Sequence, residues 1–263
     1  MNPFNYHDPS TLQAAQSAKG GDVKYLAGGQ SLIATMKLRL SSPTDLVDLA
    51  GIPELRGIKA DAGTVTIGAM TTHAEVASSP EVAARIPALA ALAGGIGDRQ
   101  VRNRGTLGGS LANNDPASDY PGAVLGLGAT VITSKRRIAA DEYFIGLYET
   151  VLEPREIITA VSFPVPKKAA YVKFRNPASR FALVGVFVAQ TASGPRVAVT
   201  GAGGAGVFRV AEMEEALSKR WAPEAVRSIA VDDADLNGDM HGSAEYRAHL
   251  IAVLAGRAVA AAG

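Results

Sequence analysis

Apolar positions along this 263-residue chain fall into two regimes. Up to about residue 155, short apolar runs alternate with segments of helical spacing. Beyond it, strands come in series and helices close the chain. In the first regime Lys24–Ala27 reads as a strand and Ser31–Leu40 (SLIATMKLRL) as a helix. Asp45–Leu49 and Thr64–Gly68 read as strands, and Glu81–Ala93 as a helix broken at Pro87. Ser10 with Gln13 has the spacing of a capping box for a helix reaching Ala18. Asp119–Leu127 reads as helical and Ala129–Ser134 as a strand. In the second regime Ile157–Phe163, Ala170–Arg175, Leu183–Thr191 and Arg196–Thr200 have strand lengths and composition. Turn residues separate them at Pro164–Pro166, Asn176-Pro177 and Ser193-Gly194. Val210–Arg220, Pro223–Ile229 and Ser243–Ala261 read as helices, the last with Tyr246, Leu250, Val253 and Leu254 on one face. The class is α+β, with a boundary near Pro164-Val165-Pro166 and no internal repeat.

Composition narrows the chemistry. With 26 Lys+Arg against 25 Asp+Glu, the chain is not a general polyanion binder. It has no cysteine, so no disulfide, thiolate iron–sulfur cluster, Cys-zinc site or cysteine nucleophile can reside on it. Met1–Ser10 is polar and carries no apolar signal core. The longest apolar run, Ala182–Ala189 (ALVGVFVA), is far shorter than the roughly 18 residues a membrane span needs. A cytoplasmic protein without an integral membrane segment is expected.

The 28 glycines are clustered: Gly28-Gly29, Gly94-Gly95 with Gly97, Gly108-Gly109, and Gly201 to Gly206. Each cluster nominates a tight loop. Two are alike. Ala27-Gly28-Gly29-Gln30-Ser31 and Thr106-Leu107-Gly108-Gly109-Ser110 both place Ser after a Gly pair. Consecutive main-chain N–H groups at such turns form a concave nest for a pyrophosphate, and a Cβ would hold the anion off. The hydroxyls of Ser31, Thr106 and Ser110 add donors.

Other motifs carry less. Gly201-Ala202-Gly203-Gly204-Ala205-Gly206 satisfies G-x-G-x-x-G, yet only 57 residues follow it, too few to complete a doubly wound sheet. It reads as a strand-to-helix connector. Three arginines lie in Arg99–Arg104 without interleaved aromatics, which suits a solvated loop or a subunit contact better than nucleic acid. His7, His73, His241 and His249 have no metal-ligand spacing. Asp115 and Asp119 could act as acid and base, although Ser118 or Asp119 more commonly caps a helix. Phosphate-cradling loops without an acid, base, nucleophile or metal suit a cofactor that performs the chemistry itself.

Ala27–Leu40 (AGGQSLIATMKLRL) and Ile96–Pro121 (IGDRQVRNRGTLGGSLANNDPASDYP) closely resemble the FAD-binding medium subunit of the molybdenum hydroxylases. That family includes aerobic carbon monoxide dehydrogenase and bacterial xanthine dehydrogenase-like enzymes. The likeness continues through Thr66–His73, Lys173–Val186 and Glu245-Tyr246-Arg247. It implies a vanillyl-alcohol-oxidase (PCMH)-type FAD-binding fold over residues 1–165, in subdomains of about 1–57 and 58–165. A C-terminal domain of three antiparallel strands and helices would occupy 166–263. It further implies an electron-transfer subunit beside an iron–sulfur small subunit and a molybdenum-cofactor large subunit, in a dimer of heterotrimers. Such a complex is cytoplasmic or peripheral at the inner membrane.

Carried over residue by residue, the resemblance implies that Ala27, Gly28, Gly29, Gln30, Ser31 and Leu32 hold the FAD pyrophosphate with Thr106, Leu107, Gly108, Gly109 and Ser110. Ile96 and Asp119 match further FAD contacts, and Ile158 a position whose main chain nears the isoalloxazine. Lys173 matches a lysine near the ring, and Phe181 an aromatic beside it; a core role for Phe181 is the alternative. Two residues depart from the pattern: Gln30 stands where many relatives have His, and Arg180 where an acidic residue is common. Competing readings are a stand-alone FAD-dependent oxidoreductase of the same fold, and a nucleotide-binding module using Gly201–Gly206.

Overall fold

The computed structural model describes residues 1–263. The chain opens with β1 (Asn5–His7), α1 (Leu12–Gln16), β2 (Val23–Leu26), α2 (Leu32–Lys37) and β3 (Asp45–Asp48). The three strands pair in parallel in the order β1-β3-β2, the helices serving as the crossovers that parallel pairing requires. Ala15, Val47, Leu49, Ile52 and Leu55 form a small core beneath them, completed by Met70 and Ile157 from the next layer. Thr11, not Ser10, caps α1, its hydroxyl accepting from the Ala14 N–H at 3.2 Å.

The second layer begins with β4 (Ile58–Ala60) and β5 (Thr64–Gly68). Six helices follow: α3 (His73–Ser78), α4 (Pro80–Arg85), α5 (Pro87–Gly94), α6 (Arg99–Arg104), α7 (Leu107–Asn113) and α8 (Tyr120–Leu127). Next come β6 (Thr130–Thr133), β7 (Arg137–Ala139), α9 (Ala140–Tyr143), the hairpin β8 (Phe144–Gly146) and β9 (Glu149–Thr150), and β10 (Ile158–Pro164). An antiparallel sheet of order β4-β5-β10-β6-β7 results, with β10 returning to its centre.

The last layer is an antiparallel sheet of β11 (Lys168–Arg175), β12 (Ala182–Thr191), β13 (Gly194–Thr200) and a short β14 (Phe208–Arg209), one strand more than the three expected. The helices α10 (Ala211–Lys219), α11 (Pro223–Arg227) and α12 (Ala244–Ala262) follow. The apolar run in β12 is explained by burial on both faces. Val184, Val186 and Val188 pack with Met213, Leu217, Leu250, Ile251 and Leu254 of the closing helices. Phe187 and Ala189 point the other way, into a core shared with Ala123, Val124 and Leu127 of α8. The third layer is thus packed directly against the second. No helix is long and apolar enough to cross a membrane.

Local reading misses the short elements β1, β4, α3, β7, α9, β8, β9 and β14 and misjudges two segments. Asn5–His7 is too short to announce itself. Residues 99–104 are a helix, started by Asp98, whose carboxylate accepts from the Val101 N–H at 2.8 Å. The second diglycine is no loop: Gly108 and Gly109 lie in the first turn of α7. Glycine is a poor helix former, but contacts fix it here. A Cβ on Gly108 would lie 2.6 Å from that of Ala69.

Candidate functional site

A cavity of about 890 Å³ opens between the first two layers, a volume within the usual range for a cofactor site. Fourteen of the sixteen sequence-nominated residues line it. The strand β2 runs directly into Ala27–Ser31, and Gly29 turns the chain with φ +72°, in the left-handed region that favours glycine. The Gln30 side chain folds back, its amide donating to the Gly28 carbonyl at 3.3 Å. Ser31 occupies the N-cap position of α2 but makes no side-chain cap bond, so its hydroxyl is uncommitted. The main-chain N–H groups of Gly29, Gln30, Ser31 and Leu32 donate to no protein acceptor, the first intrahelical bond coming from Ile33 to the Gly29 carbonyl at 3.2 Å. Four unpaired donors in a row at a cavity wall can cradle an anion.

The second loop meets the first. A Cβ on Gly109 would lie 3.1 Å from that of Ala27. A Cβ on Gly28 would lie 2.1 Å from the Arg104 carbonyl oxygen and 2.7 Å from the Gly105 Cα. Glycine is therefore required at 28 by the approach of the other loop's main chain; the expectation that a Cβ there would obstruct the anion itself is corrected. A second expectation is corrected too, since the second loop is no amide nest. Its N–H groups are occupied: Leu107 donates to the Thr71 carbonyl, Gly108 to Ala69, and Ser110 to Thr106. Gly109 donates to the Thr106 hydroxyl, which caps α7. What this loop offers the cavity is the Ser110 hydroxyl and the bare Gly109 Cα.

Two nominated residues are not on the wall. Leu107 is fully buried in the central core. The Lys173 side chain is 4% exposed and its ammonium binds the Asp119 carboxylate at 2.9 Å and the Gly95 carbonyl at 3.1 Å. Asp119 begins α8 but does not cap it. Its carboxylate instead accepts from Lys173 and from the Tyr171 hydroxyl, for which Gly185 makes room, since a Cβ there would overlap that hydroxyl. Burial raises the Asp119 carboxyl above its ordinary range, with Lys173 and Tyr171 pulling it down.

At the mouth, Phe181 is half exposed and is not a core residue. It follows Arg180, held at φ +64°, on a turn that Asn176 closes by accepting from the Ala178 and Ser179 N–H groups. Ile96 and Ile158 are on the wall, the latter at the start of β10. The segment before Ile158 is pinned at both ends. The buried Glu156 accepts from Arg136 and from the Thr133 hydroxyl. Burial would raise that carboxyl, but the Arg136 ion pair and these donors hold it down at about 2. Arg155, at φ +62°, reaches back to donate to the Ala18 carbonyl at 2.6 Å, strapping this segment to the first layer.

The sequence reading missed Arg155, Tyr25 and His73, all on the wall. The Tyr25 hydroxyl and the His73 Nδ1 are buried without hydrogen-bond partners. Left-handed backbone at Arg155 and orphaned polar atoms are properties of the folded chain, with no local signature. By contrast, Gly201–Gly206 joins β13 to the short strand β14, so it connects strand to strand and not strand to helix as expected, and none of its residues lines this cavity.

Residues 2–166 match the model of the FAD binding domain in molybdopterin dehydrogenase. The carbon monoxide dehydrogenase medium chain of Hydrogenophaga pseudoflava is 35% identical, over 98% of this chain and 96% of its own. The nicotine 6-hydroxylase medium subunit of Paenarthrobacter nicotinovorans is 37% identical, over 99% of this chain and 97% of its own. Among solved structures, reconstituted CO dehydrogenase from Oligotropha carboxidovorans superposes with a TM-score of 0.91 at 33% identity, covering 99% of this chain and 98% of that one.

Proposed function

The chain belongs to the FAD-binding family of molybdopterin dehydrogenases and is an FAD-binding oxidoreductase subunit; from that premise we propose how its residues serve the cofactor. The convergence of the two glycine loops on one cavity, with four unpaired amides, carries the reading. The N–H groups of Gly29 to Leu32 hold the FAD diphosphate, and the Ser31 and Ser110 hydroxyls add to them. Ala27, Gly28, Gln30, Thr106, Gly108 and Gly109 shape the cradle, while Leu107 anchors its second loop in the core. Ile96 and Ile158 bound the cofactor along the wall, and Phe181 covers it at the mouth. Lys173 acts from behind Asp119, fixing its carboxylate. Bound FAD supplies the redox chemistry, accepting electrons and passing them on.

Because the chain has no cysteine, iron–sulfur clusters belong to another subunit. The partners are an iron–sulfur small subunit and a molybdenum-cofactor large subunit, in a dimer of heterotrimers, in the cytoplasm or peripheral at the inner membrane. The PCMH-type layout assigns residues 1–165 to FAD, in subdomains meeting near residue 57, and 166–263 to a C-terminal domain. Purification from the native host tests both parts. A flavin spectrum, FAD released on denaturation, and co-purifying molybdenum and iron are expected. A colourless chain that takes up no FAD would refute the cofactor assignment, and a catalytically competent lone flavoprotein would refute the partners.

A further inference from the structure

Resting on that reading, the geometry points to His73 as a further ligand of the anionic group held by the glycine loops, donating through its Nε2–H. The placement of the ring is not incidental. Thr72 and Glu75 close a capping box that fixes the start of α3. The His73 N–H donates to the Gly105 carbonyl at 3.0 Å, and Thr72 pairs with Thr106 in an isolated bridge. The imidazole is thereby set against the turn that leads into Thr106 and Gly109. A Cβ on Gly105 would lie 2.5 Å from His73 Nε2, and Gly105 is in turn the residue against which Gly28 closes. The Nε2 edge of the ring therefore lies beside the turn where the two loops meet, and the residue forms part of the cavity wall.

The proton count follows from the surroundings. His73 is 5% exposed, and its ring lies 5.2 Å from that of Tyr120, centroid to centroid. Burial foremost, then the charge of Arg102, hold it down at about 4, so the ring carries one proton near neutral pH. No acidic group bonds to it. Glu75 turns back onto Thr72, and Glu81 on α4 accepts from Ser79. Arg85 on α4 donates to the Asp61 carbonyl, and α5 carries no titratable side chain. On α6, Arg102 donates to the Ile96 and Gly97 carbonyls, while Arg99 and Arg104 are exposed. Nδ1 is buried without a partner. A buried unpaired N–H is the rarer and costlier orphan, which leaves the lone pair on Nδ1 and the proton on Nε2.

One donor to a charged group is worth about tenfold to a hundredfold in affinity. Apo-protein is titrated with FAD, ADP and riboflavin, following flavin fluorescence or heat. For His73→Leu, FAD and ADP should weaken by about that factor and riboflavin should be unchanged. His73→Gln, whose amide nitrogen reaches the place of Nε2, should bind nearly as wild type. His73→Asn, whose amide nitrogen reaches only the place of Nδ1, should resemble the Leu variant. The 15N spectrum of the wild-type imidazole should show the Nε2–H tautomer, with its Nε2 resonance shifting on addition of ADP. Equal binding by the Asn and Gln variants, or the Nδ1–H tautomer, would overturn the assignment while FAD binding by wild type still stood. Failure of wild type to bind FAD would instead overturn the proposed function. Should His73→Leu not fold, the Gln and Asn pair decides alone.

Discussion

Gly28→Ala puts the convergence of the two loops to a quantitative test. The added Cβ would lie 2.1 Å from the Arg104 carbonyl oxygen, whereas ordinary contact begins at 3.4 Å. The obstruction is main chain, so no rotamer relieves it; the loops must part by about 1 Å or more. Strain of this kind costs about 1–3 kcal/mol of stability. Separation also pulls the Gly29–Leu32 amides away from whatever Ser110 holds. Losing one charge-assisted bond costs about 1.5–3 kcal/mol, which is roughly tenfold to over a hundredfold in FAD affinity. The assay is fluorescence titration of apo-protein with FAD, alongside a thermal melt without it. Gly63→Ala is the control, since nothing lies within 4 Å of its Cβ and its φ is not positive. It should be neutral or gain about 0.4–1 kcal/mol. Gly109→Ala should fall between the two, because its nearest neighbours, at 2.9 and 3.1 Å, are side-chain atoms and the position is helical. Wild-type affinity and melting for Gly28→Ala would refute the reasoning.

Other outcomes follow from the same geometry. An unfolded histidine titrates near 6.5 and the folded His73 near 4, so the unfolded chain takes the proton first. Stability should therefore fall as pH drops from about 6.5 towards 4, by about 3 kcal/mol in all. Denaturant melts across that range should be flatter for His73→Leu. Lys173→Met strands the Asp119 carboxylate in a buried site and should cost about 3–5 kcal/mol in the same melts. Adding Asp119→Asn should recover much of that loss. Arg155→Ala removes the strap onto Ala18 and should speed FAD dissociation about fivefold, measured by stopped-flow displacement.

The parts of the site written in the sequence are those whose chemistry is local. The Gly-Gly-x-Ser loop after a strand is legible because a left-handed turn and an uncapped helix start need those residues there. The long apolar stretch in β12 is legible as a strand, while its burial on both faces depends on α8 arriving from an earlier layer. The second glycine pair reads as a loop because its helix exists by virtue of contacts with Ala69 and Ala27 that no propensity encodes. The same is true of Lys173, which faces a carboxylate 54 residues away instead of the cavity. His73 has no metal-ligand spacing; the Thr72-x-x-Glu75 capping box that starts its helix is a local signature, whereas the bridge from Thr72 to Thr106 that sets the ring against the second loop forms only on folding.

The structure of the FAD-loaded chain, determined by diffraction, tests the central claim most directly. Both phosphates should lie within hydrogen-bond distance of the Gly29–Leu32 N–H groups and against Gly109 and Ser110. A diphosphate seated anywhere else, the Gly201–Gly206 turn included, would contradict it.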